Sequence, residues 1–247
     1  ADYVAEGRFL ERYAALVADD PDLLVPRVHW DCTTPRVMAM DFVAGVPLEE
    51  MARGDVPQKQ RDKLGAALEH LTFRELFEFH VMQTDPNFAN YLFQPDSGRL
   101  VLLDFGATQE FAVDFVERFR RITRAIVARD RTAIAEQAVA IGYLAADAPP
   151  QQREAVVDVI QLVCEPLQHR GRYDFAASTL PARARELGYD LAFRKGLLKS
   201  PPPETMFLHR KLGGMFLLLA RLGAQVDVRK LIQPLLAEEL PRADAGS

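Results

Sequence analysis

Three polar side chains, Asp85, Asn90 and Asp104, have the types and the spacing that metal-dependent phosphoryl transfer requires. Asp85 and Asn90 lie five residues apart in a polar segment, and Asp104 follows an apolar run at residues 100–103. Magnesium prefers hard oxygen ligands, and a carboxylate at the end of a strand is a rigidly held ligand. Gly106 lets the backbone turn away sharply beside that carboxylate. The pattern predicts that Asp85 acts on the acceptor group, while Asn90 and Asp104 hold Mg²⁺ against the phosphates of ATP.

Each of these short patterns also occurs in proteins that transfer no phosphate. Asp-Phe-Gly at residues 104–106 can be an ordinary turn after a strand, and Asp85 and Asn90 can be loop caps. Together, however, they occur in the order that kinases use, with a hairpin signal, Pro-Asp-Ser-Gly, between them at residues 95–98. We therefore expect a kinase-like catalytic loop followed by a metal-binding motif.

Two further groups are candidates for holding the nucleotide. Glu6 lies on the first predicted helix, upstream of two short predicted strands, where kinases place the glutamate that pairs with the nucleotide-binding lysine. From spacing alone, a solvated helix glutamate is the more frequent explanation of such a residue. The four residues before a Gly/Pro break would form the hinge that hydrogen-bonds adenine through its backbone, and a plain buried strand has the same pattern. The predicted hinge residues are Met40, Asp41, Phe42 and Val43.

The elements that must position these residues are short strands and long helices. Apolar spacing predicts a helix over residues 3–17, strands over 25–30 and 36–43, and a long helix over 59–81. A polar loop over 83–90 and a hairpin of 91–94 with 99–103 follow, and the chain after 111 is predicted to be helical. We expect an α+β, protein-kinase-like fold. Residues 1–43 would be a truncated, β-rich N-lobe remnant, and residues 44–247 an enlarged, mainly helical C-lobe.

Composition argues against several other classes of protein. The 247 residues carry a net charge of −5, so no basic field for nucleic acid is expected. Hydrophobic residues make up 49% of the chain, which is enough for a sizeable core and too many for a disordered protein. Cys32 and Cys164 lie far apart without metal-ligand spacing, so they are expected to be buried free thiols.

No segment of the sequence is expected to cross a membrane. The longest apolar run near the C-terminus, residues 215–220, is far shorter than a bilayer requires. Residues 207–222 have one apolar side and are expected to form a core helix. A role at a membrane surface, or in binding a lipid precursor, is the alternative for that helix.

Several parts of an active kinase are missing from the sequence. The first lysine is Lys59, beyond the predicted hinge, and no glycine-rich phosphate loop precedes Gly45. Asn87 stands two residues after Asp85, where ordinary serine/threonine kinases carry a lysine. An Ala-Pro-Glu segment does not follow the Asp-Phe-Gly, which leaves a protein substrate little on which to dock. The ligands for metal and acceptor are thus expected without the groups that grip the phosphates from above.

The sequence resembles the UbiB family of atypical kinases over essentially its whole length. Near the start the resemblance rests on Asp2, Tyr3 and Glu6. In the site segments it rests on Gln-Thr-Asp-Pro-Asn-Phe-Ala-Asn at residues 83–90 and Leu-Asp-Phe-Gly-Ala-Thr at 103–108. Outside them it rests on Arg-Glu-Leu-Phe-Glu-Phe-His at 74–80, Pro-Pro-Pro-Glu-Thr at 201–205 and Leu-His-Arg-Lys-Leu-Gly-Gly at 208–214. The match is to the branch that supports coenzyme Q (ubiquinone) biosynthesis.

The resemblance implies an ATPase or unorthodox kinase that uses ATP and Mg²⁺. Asp85 would be the catalytic-loop aspartate, Asn90 and Asp104 the magnesium ligands, and Glu6 the partner of the nucleotide lysine. That lysine and an alanine-rich nucleotide loop would lie before Ala1, in a longer protein of which this chain is a fragment.

The resemblance also implies partners and a location. The partners would be the nucleotide, quinone-precursor lipids and other proteins of ubiquinone biosynthesis, with a membrane surface but no nucleic acid. The location would be the bacterial cytoplasm at the inner-membrane surface or, in a eukaryote, the matrix side of the mitochondrial inner membrane.

Two other functions stay open from the sequence. A small-molecule phosphotransferase of the aminoglycoside- or choline-kinase type also lacks an ordinary activation segment, although the long UbiB-like segments argue against it. A non-catalytic pseudokinase scaffold is the second alternative, because the phosphate loop and the nucleotide lysine are absent from this chain.

Overall fold

The computed structural model describes residues 2–191 and 201–237, which form a kinase-like α+β fold. The described helices are α1 (Tyr3–Leu16), α2 (Leu48–Arg53), α3 (Gln58–Phe77), α4 (Val113–Ala128), α5 (Arg131–Ile141), α6 (Pro150–Val163), α7 (Glu165–Gln168), α8 (Leu180–Tyr189), α9 (Met206–Leu222) and α10 (Val228–Ala237). The described strands are β1 (Leu23–Leu24), β2 (Val46–Pro47), β3 (Val81–Gln83), β4 (Tyr91–Gln94), β5 (Arg99–Leu102), β6 (Thr108–Glu110), β7 (Tyr173–Asp174) and β8 (Gln225–Val226).

The first helix begins where the sequence predicts and ends one residue earlier. Asp2 caps it, since its Oδ1 accepts hydrogen bonds from the backbone amides of Val4 and Ala5 at 3.1 and 3.3 Å. Leu10 and Tyr13 are fully buried on the side that faces the core. This capped and anchored helix carries Glu6 on its first turns.

The two strands predicted over residues 25–30 and 36–43 are not formed as continuous strands, so that prediction is wrong. The segment does fold back on itself, but only through isolated bridges, Val28 with Met40 and Thr34 with Val37. A two-stranded hairpin has little stability of its own. The Thr33 hydroxyl also competes with the ladder: it donates to His29 O at 2.9 Å and accepts from Ala39 N at 3.2 Å.

A four-stranded sheet in the order β1-β5-β4-β2 leads directly to the metal-binding motif. The predicted hairpin is confirmed: β4 and β5 pair antiparallel, and Gly98 in the turn has the left-handed φ of 71°. Strand β1 adds a parallel edge, with Leu23 opposite Leu100. Leu100 and Val101 are fully buried, so the end of β5 is firmly held two residues before Asp104.

A second, two-stranded ribbon brackets the polar loop and the metal-binding motif. The long helix ends at Phe77 instead of residue 81, because the chain turns at His80, whose φ is 54°. Residues 81–83 then form β3, which pairs antiparallel with β6. The ribbon therefore fixes the start of the loop against the end of the motif.

The C-terminal part of the described chain is mainly helical, and α9 belongs to its core. Gly65 on α3 faces Ala224 so closely that a Cβ at residue 65 would lie 2.5 Å from the Ala224 Cβ. The strand pair β7–β8 corrects the expectation that the chain after residue 111 is purely helical. Within residues 2–191 and 201–237, no helix combines the length and the apolar character needed to cross a bilayer. The prediction that α9 is a core helix is confirmed by its buried residues, among them Leu208, Met215, Leu218, Leu219 and Leu222.

Candidate nucleotide and metal site

The backbone of Asp85 is held on both sides by the side chain of Gln83. The Gln83 amide nitrogen donates to Asp85 O at 3.0 Å, and the Gln83 amide oxygen accepts from Asp85 N at 3.2 Å. Thr84 ties the same loop to the metal-binding motif, because its backbone amide and its hydroxyl both donate to Ala107 O, at 3.0 and 2.7 Å. The two segments that carry the predicted carboxylates are thus joined directly.

Asn90 is buried at the end of a short 3₁₀ helix, Phe88–Asn90, between the other two predicted site residues. Its side-chain Nδ2 donates to Asp85 O at 2.9 Å, and its backbone carbonyl accepts from Leu103 N at 3.0 Å. The first bond uses the nitrogen of the amide, which leaves the amide oxygen as the atom that can coordinate a cation. Asn90 therefore connects the catalytic loop to the residue before Asp104.

Asp104 and Glu6 present two carboxylates around Gly106. Asp104 Oδ1 accepts from Gly106 N at 2.9 Å, which orients this exposed carboxylate. A Cβ at residue 106 would lie 3.2 Å from Glu6 Oε2 and 3.5 Å from Asp104 Oδ1, so a glycine leaves the space that both need. Burial, and next the charge of Asp104, raise the pKa of Glu6. A cation placed between two such groups is favoured by both.

The helix that carries Glu6 is locked to the same site through Tyr13. The rings of Tyr13 and Phe105 have centroids 4.5 Å apart. The Tyr13 hydroxyl donates to Glu75 Oε1 at 2.7 Å and accepts from Gln83 N at 2.7 Å. A cavity of about 10 Å³, large enough for one water, lies among these side chains and also touches Asn90 and Asp104.

Helix α9 supplies a partner for Asp85 that the sequence did not predict. Arg210 Nη2 lies 2.5 Å from Asp85 Oδ1 and forms an ion pair with it. One turn further on, Gly214 packs under the loop so tightly that a Cβ there would lie 2.1 Å from Pro86 Cγ. Arg210 belongs to the UbiB-like motif at residues 208–214. The sequence identifies that motif, but its spacing does not predict that the motif lies beside the polar loop.

A buried ion pair joins α9 to α3 next to the site. Lys211 Nζ lies 3.1 Å from Glu75 Oε2, and both side chains are only 1% exposed. Burial raises the pKa of Glu75, against the opposing effect of Lys211. Burial lowers the pKa of Lys211, but the Glu75 carboxylate and hydrogen bonds with Glu75 and Tyr91 outweigh it, so the pKa of Lys211 is raised.

The predicted hinge, residues 40–43, is tied to the hairpin formed by residues 27–41. Met40 bridges Val28, and Asp41 is engaged with the hairpin: its amide donates to Arg27 O at 2.9 Å and its Oδ1 lies 2.7 Å from His29 Nε2. That hydrogen bond from His29 lowers the pKa of Asp41. Two further hinge residues are Phe42, which is 94% exposed, and the half-buried Val43. Adenine binding by this segment stays a prediction.

The donor set suits magnesium better than a metal that requires a protein cage. Among residues 2–191 and 201–237, no cluster of three or more His, Cys, Asp or Glu side chains could hold a metal ion. Asn90 and Asp104 offer two oxygen ligands, and magnesium commonly uses one or two protein oxygens and completes its shell with water and phosphate oxygens. The residues present therefore fit Mg²⁺ bound together with a nucleotide.

Comparisons with known proteins agree with this architecture. The model of the ABC1 atypical kinase-like domain matches residues 1–138, more than half of the chain. The mitochondrial atypical kinase COQ8B of Rattus norvegicus is 35% identical over 94% of this chain and 43% of its own length. The mitochondrial atypical kinase COQ8 of Saccharomyces cerevisiae is 35% identical over 96% of this chain and 47% of its own length. This chain thus spans less than half the length of either relative.

A solved structure gives independent support for the fold. The structure of Rv3197 with erythromycin, from Mycobacterium tuberculosis, superposes with a TM-score of 0.75 over 96% of this chain and 59% of that chain. Its sequence identity is 21%, so the likeness is one of fold alone. The family model and the COQ8 relatives decide the family, because the model matches more than half of the chain and the two relatives are 35% identical over 94% and 96% of it. The chain belongs to the UbiB (ABC1/COQ8) family of atypical kinase-like proteins.

Proposed function

We propose that the full protein is an atypical kinase or ATPase of the UbiB type that binds Mg-ATP beside α1, the polar loop and the end of β5. The single observation that carries the proposal is the placement of Glu6, Asp104 and Asn90. The Glu6 and Asp104 oxygens lie beside Gly106, where a bound cation would relieve the repulsion between the two carboxylates, and Asn90 lines the same small cavity as Asp104.

Each residue of the site has a distinct role in this proposal. Asn90 and Asp104 would hold magnesium, which supplies positive charge against the nucleotide's phosphates. Asp85 would orient the acceptor hydroxyl or water and take its proton, with its backbone fixed by Gln83 and Asn90 and its carboxylate by Arg210. Glu6 would pair with the nucleotide lysine, which is not among residues 1–58 of this chain. Activity is accordingly proposed for the longer protein.

The proposed biological role is support of ubiquinone biosynthesis. It rests on the resemblance to the ubiquinone branch of the family and on relatives named as mitochondrial atypical kinases. Quinone-precursor lipids and other proteins of that synthesis would be the partners. They would be met at the bacterial inner-membrane surface or, in a eukaryote, on the matrix side of the mitochondrial inner membrane.

The test is the substitution Asp104→Asn in the full-length protein. Replacing the carboxylate by an amide removes the negative charge of one magnesium ligand, so we expect Mg-ATP to bind at least about tenfold more weakly in calorimetric titrations. Asp96→Asn, in the exposed β4–β5 turn, changes charge in the same way and serves as the matched control. Equal binding of Mg-ATP by the wild type and Asp104→Asn would show that the site is wrongly assigned.

A non-catalytic scaffold is a second candidate, and one contact favours it. The carboxylate that should receive the acceptor's proton is already paired with Arg210, and Asn87 stands where ordinary kinases carry a lysine. In the full-length protein, Mg-ATP binding without any release of phosphate over many hours would support the scaffold. Turnover that is lost in Asp85→Asn, with nucleotide binding retained, would exclude it.

A further inference from the structure

A basic pocket on the helical part of the protein shares no residue with the proposed nucleotide site. It has a volume of about 460 Å³. Three arginines, one histidine and a short apolar wall line it, and no carboxylate is among its lining residues. The lining residues, which define the basic pocket, are Val127, Ala128, Arg129, His169, Arg170 and Arg229.

Three helix ends build the basic pocket. Arg129 follows the last residue of α4, His169 and Arg170 follow α7, and Arg229 lies in the first turn of α10. The Arg129 guanidinium donates to Gln168 O at 3.1 Å, which holds the end of α4 against the end of α7. The cationic groups therefore converge because the helices pack together, although they come from distant parts of the sequence.

Two acidic residues next to the basic pocket in sequence are engaged as helix caps. Asp130 accepts from Ala133 N at 3.0 Å and Asp227 accepts from Lys230 N at 3.1 Å, so each of these carboxylates caps a helix. Among the ion pairs of residues 2–191 and 201–237, none involves Arg170 or Arg229. The chain as a whole is acidic, with a net charge of −5, so this concentration of positive charge is a local feature.

The backbone of Arg129 gives a second indication that the side chain matters. Its φ of 58° places it in the left-handed region at the end of α4, where helices usually have glycine. A side chain at such a position is strained relative to glycine. The fold bears this strain while placing a guanidinium on the wall of the basic pocket.

We propose that the basic pocket binds a phosphate-bearing anion. Guanidinium groups form paired, charge-assisted hydrogen bonds with phosphate oxygens. One guanidinium is enough to pair with a carboxylate, so three around one cavity favour a phosphate group, which has more oxygens and more charge. Four of the six lining residues are exposed, so the basic pocket is an open surface site that a diphosphate or a phospholipid headgroup can reach. This proposal does not depend on the proposed nucleotide site.

The experiment uses the full-length protein and two probes, inorganic pyrophosphate in calorimetric titrations and phosphatidylcholine vesicles with or without phosphatidylglycerol in flotation assays. The test variant is Arg170→Glu with Arg229→Glu. The control variant is Arg36→Glu with Arg185→Glu, which makes the same change of charge at exposed positions outside the basic pocket. Asp104→Asn is titrated in parallel, because the nucleotide site could also bind pyrophosphate.

The expected result is that the test variant binds at least one probe about tenfold or more weakly, while the control variant and Asp104→Asn bind as the wild type does. Binding of pyrophosphate assigns a soluble phosphate; binding of phosphatidylglycerol vesicles alone assigns a lipid headgroup. If the test variant does not fold, as judged by circular dichroism, Arg170→Gln with Arg229→Gln replaces it.

Three results would overturn the proposal. The first is that neither pyrophosphate nor the vesicles bind the wild type. Binding of a polyglutamate peptide alone, added as a further probe, belongs to this result, because it would assign the pocket to an acidic protein. The second is that the control variant loses as much binding as the test variant. The third is that Asp104→Asn abolishes binding while the test variant retains it.

Discussion

At the scale of single residues, the ion pair between Asp85 and Arg210 is expected to affect the orientation of Asp85 more than the stability of the fold. Arg210 is 59% exposed on its side chain, and an exposed pair of this kind contributes only about 0–1 kcal/mol to folding. A guanidinium 2.5 Å from a carboxylate oxygen nevertheless restricts the directions in which that carboxylate points. If Asp85 is the catalytic aspartate of the proposed function, we expect Arg210 to act as its positioning residue.

Arg210→Ala in the full-length protein tests this role. Losing the orientation of Asp85 is expected to lower the turnover number for ATP on the order of tenfold, because misplaced catalytic groups lose effective concentration. The KM for ATP and the thermal midpoint are expected to stay close to the wild type, and Arg210→Lys to recover part of the turnover. Arg185→Ala is the matched exposed control. An unchanged turnover number in Arg210→Ala would contradict the role, as would a loss confined to KM.

Residue identity in the site was predictable where the pattern is local. Asp85, Asn90 and Asp104 lie within 20 residues, and their types and spacing are those of a known chemistry. Arg210 lies 125 residues from Asp85, so only the packing of α9 decides that the two meet. The same holds for Tyr13, whose hydroxyl reaches Gln83 across 70 residues.

At the scale of elements, α9 supports the polar loop that carries Asp85. Gly214 on this helix leaves no room for a side chain, since a Cβ would lie 2.1 Å from Pro86 Cγ. Gly213, its neighbour, has no atom within 4 Å of the corresponding point. Of these two adjacent glycines in one helix, Gly214 therefore packs against the polar loop and Gly213 does not.

Gly214→Ala and Gly213→Ala form a matched pair of substitutions. Alanine stabilises a helix interior by about 1 kcal/mol relative to glycine, so Gly213→Ala is expected to raise the free energy of unfolding. Gly214→Ala must displace the rigid ring of Pro86, and overpacking of this kind costs about 1–3 kcal/mol. We expect it to lower the free energy of unfolding in urea titrations and to reduce ATP turnover in the full-length protein. Equal stabilisation by both would show that α9 does not support the loop.

Elements with a long apolar period were predictable, and elements of two or three residues were not. The helix at residues 3–16 and the β4–β5 hairpin follow from spacing and turn residues. The strands β3, β7 and β8 are too short to show a period, and their pairing depends on distant partners. The strand prediction for residues 25–43 is wrong for the opposite reason. The composition of this segment suits strands, but within residues 2–191 and 201–237 it pairs only through isolated bridges.

At the scale of the whole molecule, one buried network joins the first helix to the ninth. Tyr13 on α1 donates to Glu75 on α3, and Glu75 pairs with Lys211 on α9. The family model matches residues 1–138, yet this network and the partner of Asp85 require residues 206–222. The site and α9 are consequently expected to lose their structure together.

Lys211→Met tests how far the molecule depends on that network. Methionine fills a similar volume but leaves Glu75, 1% exposed, without its cation, and a broken buried pair costs about 3–5 kcal/mol. We expect a loss of that size in the free energy of unfolding. The double variant Lys211→Met with Glu75→Gln should lose less than the sum of the two single variants, since no buried charge is left unpaired. Lys230→Met, at an exposed position, should change stability by less than about 0.5 kcal/mol. Strict additivity of the two single variants would show that Lys211 and Glu75 are stabilised independently, and that α9 is held to α3 by apolar packing alone.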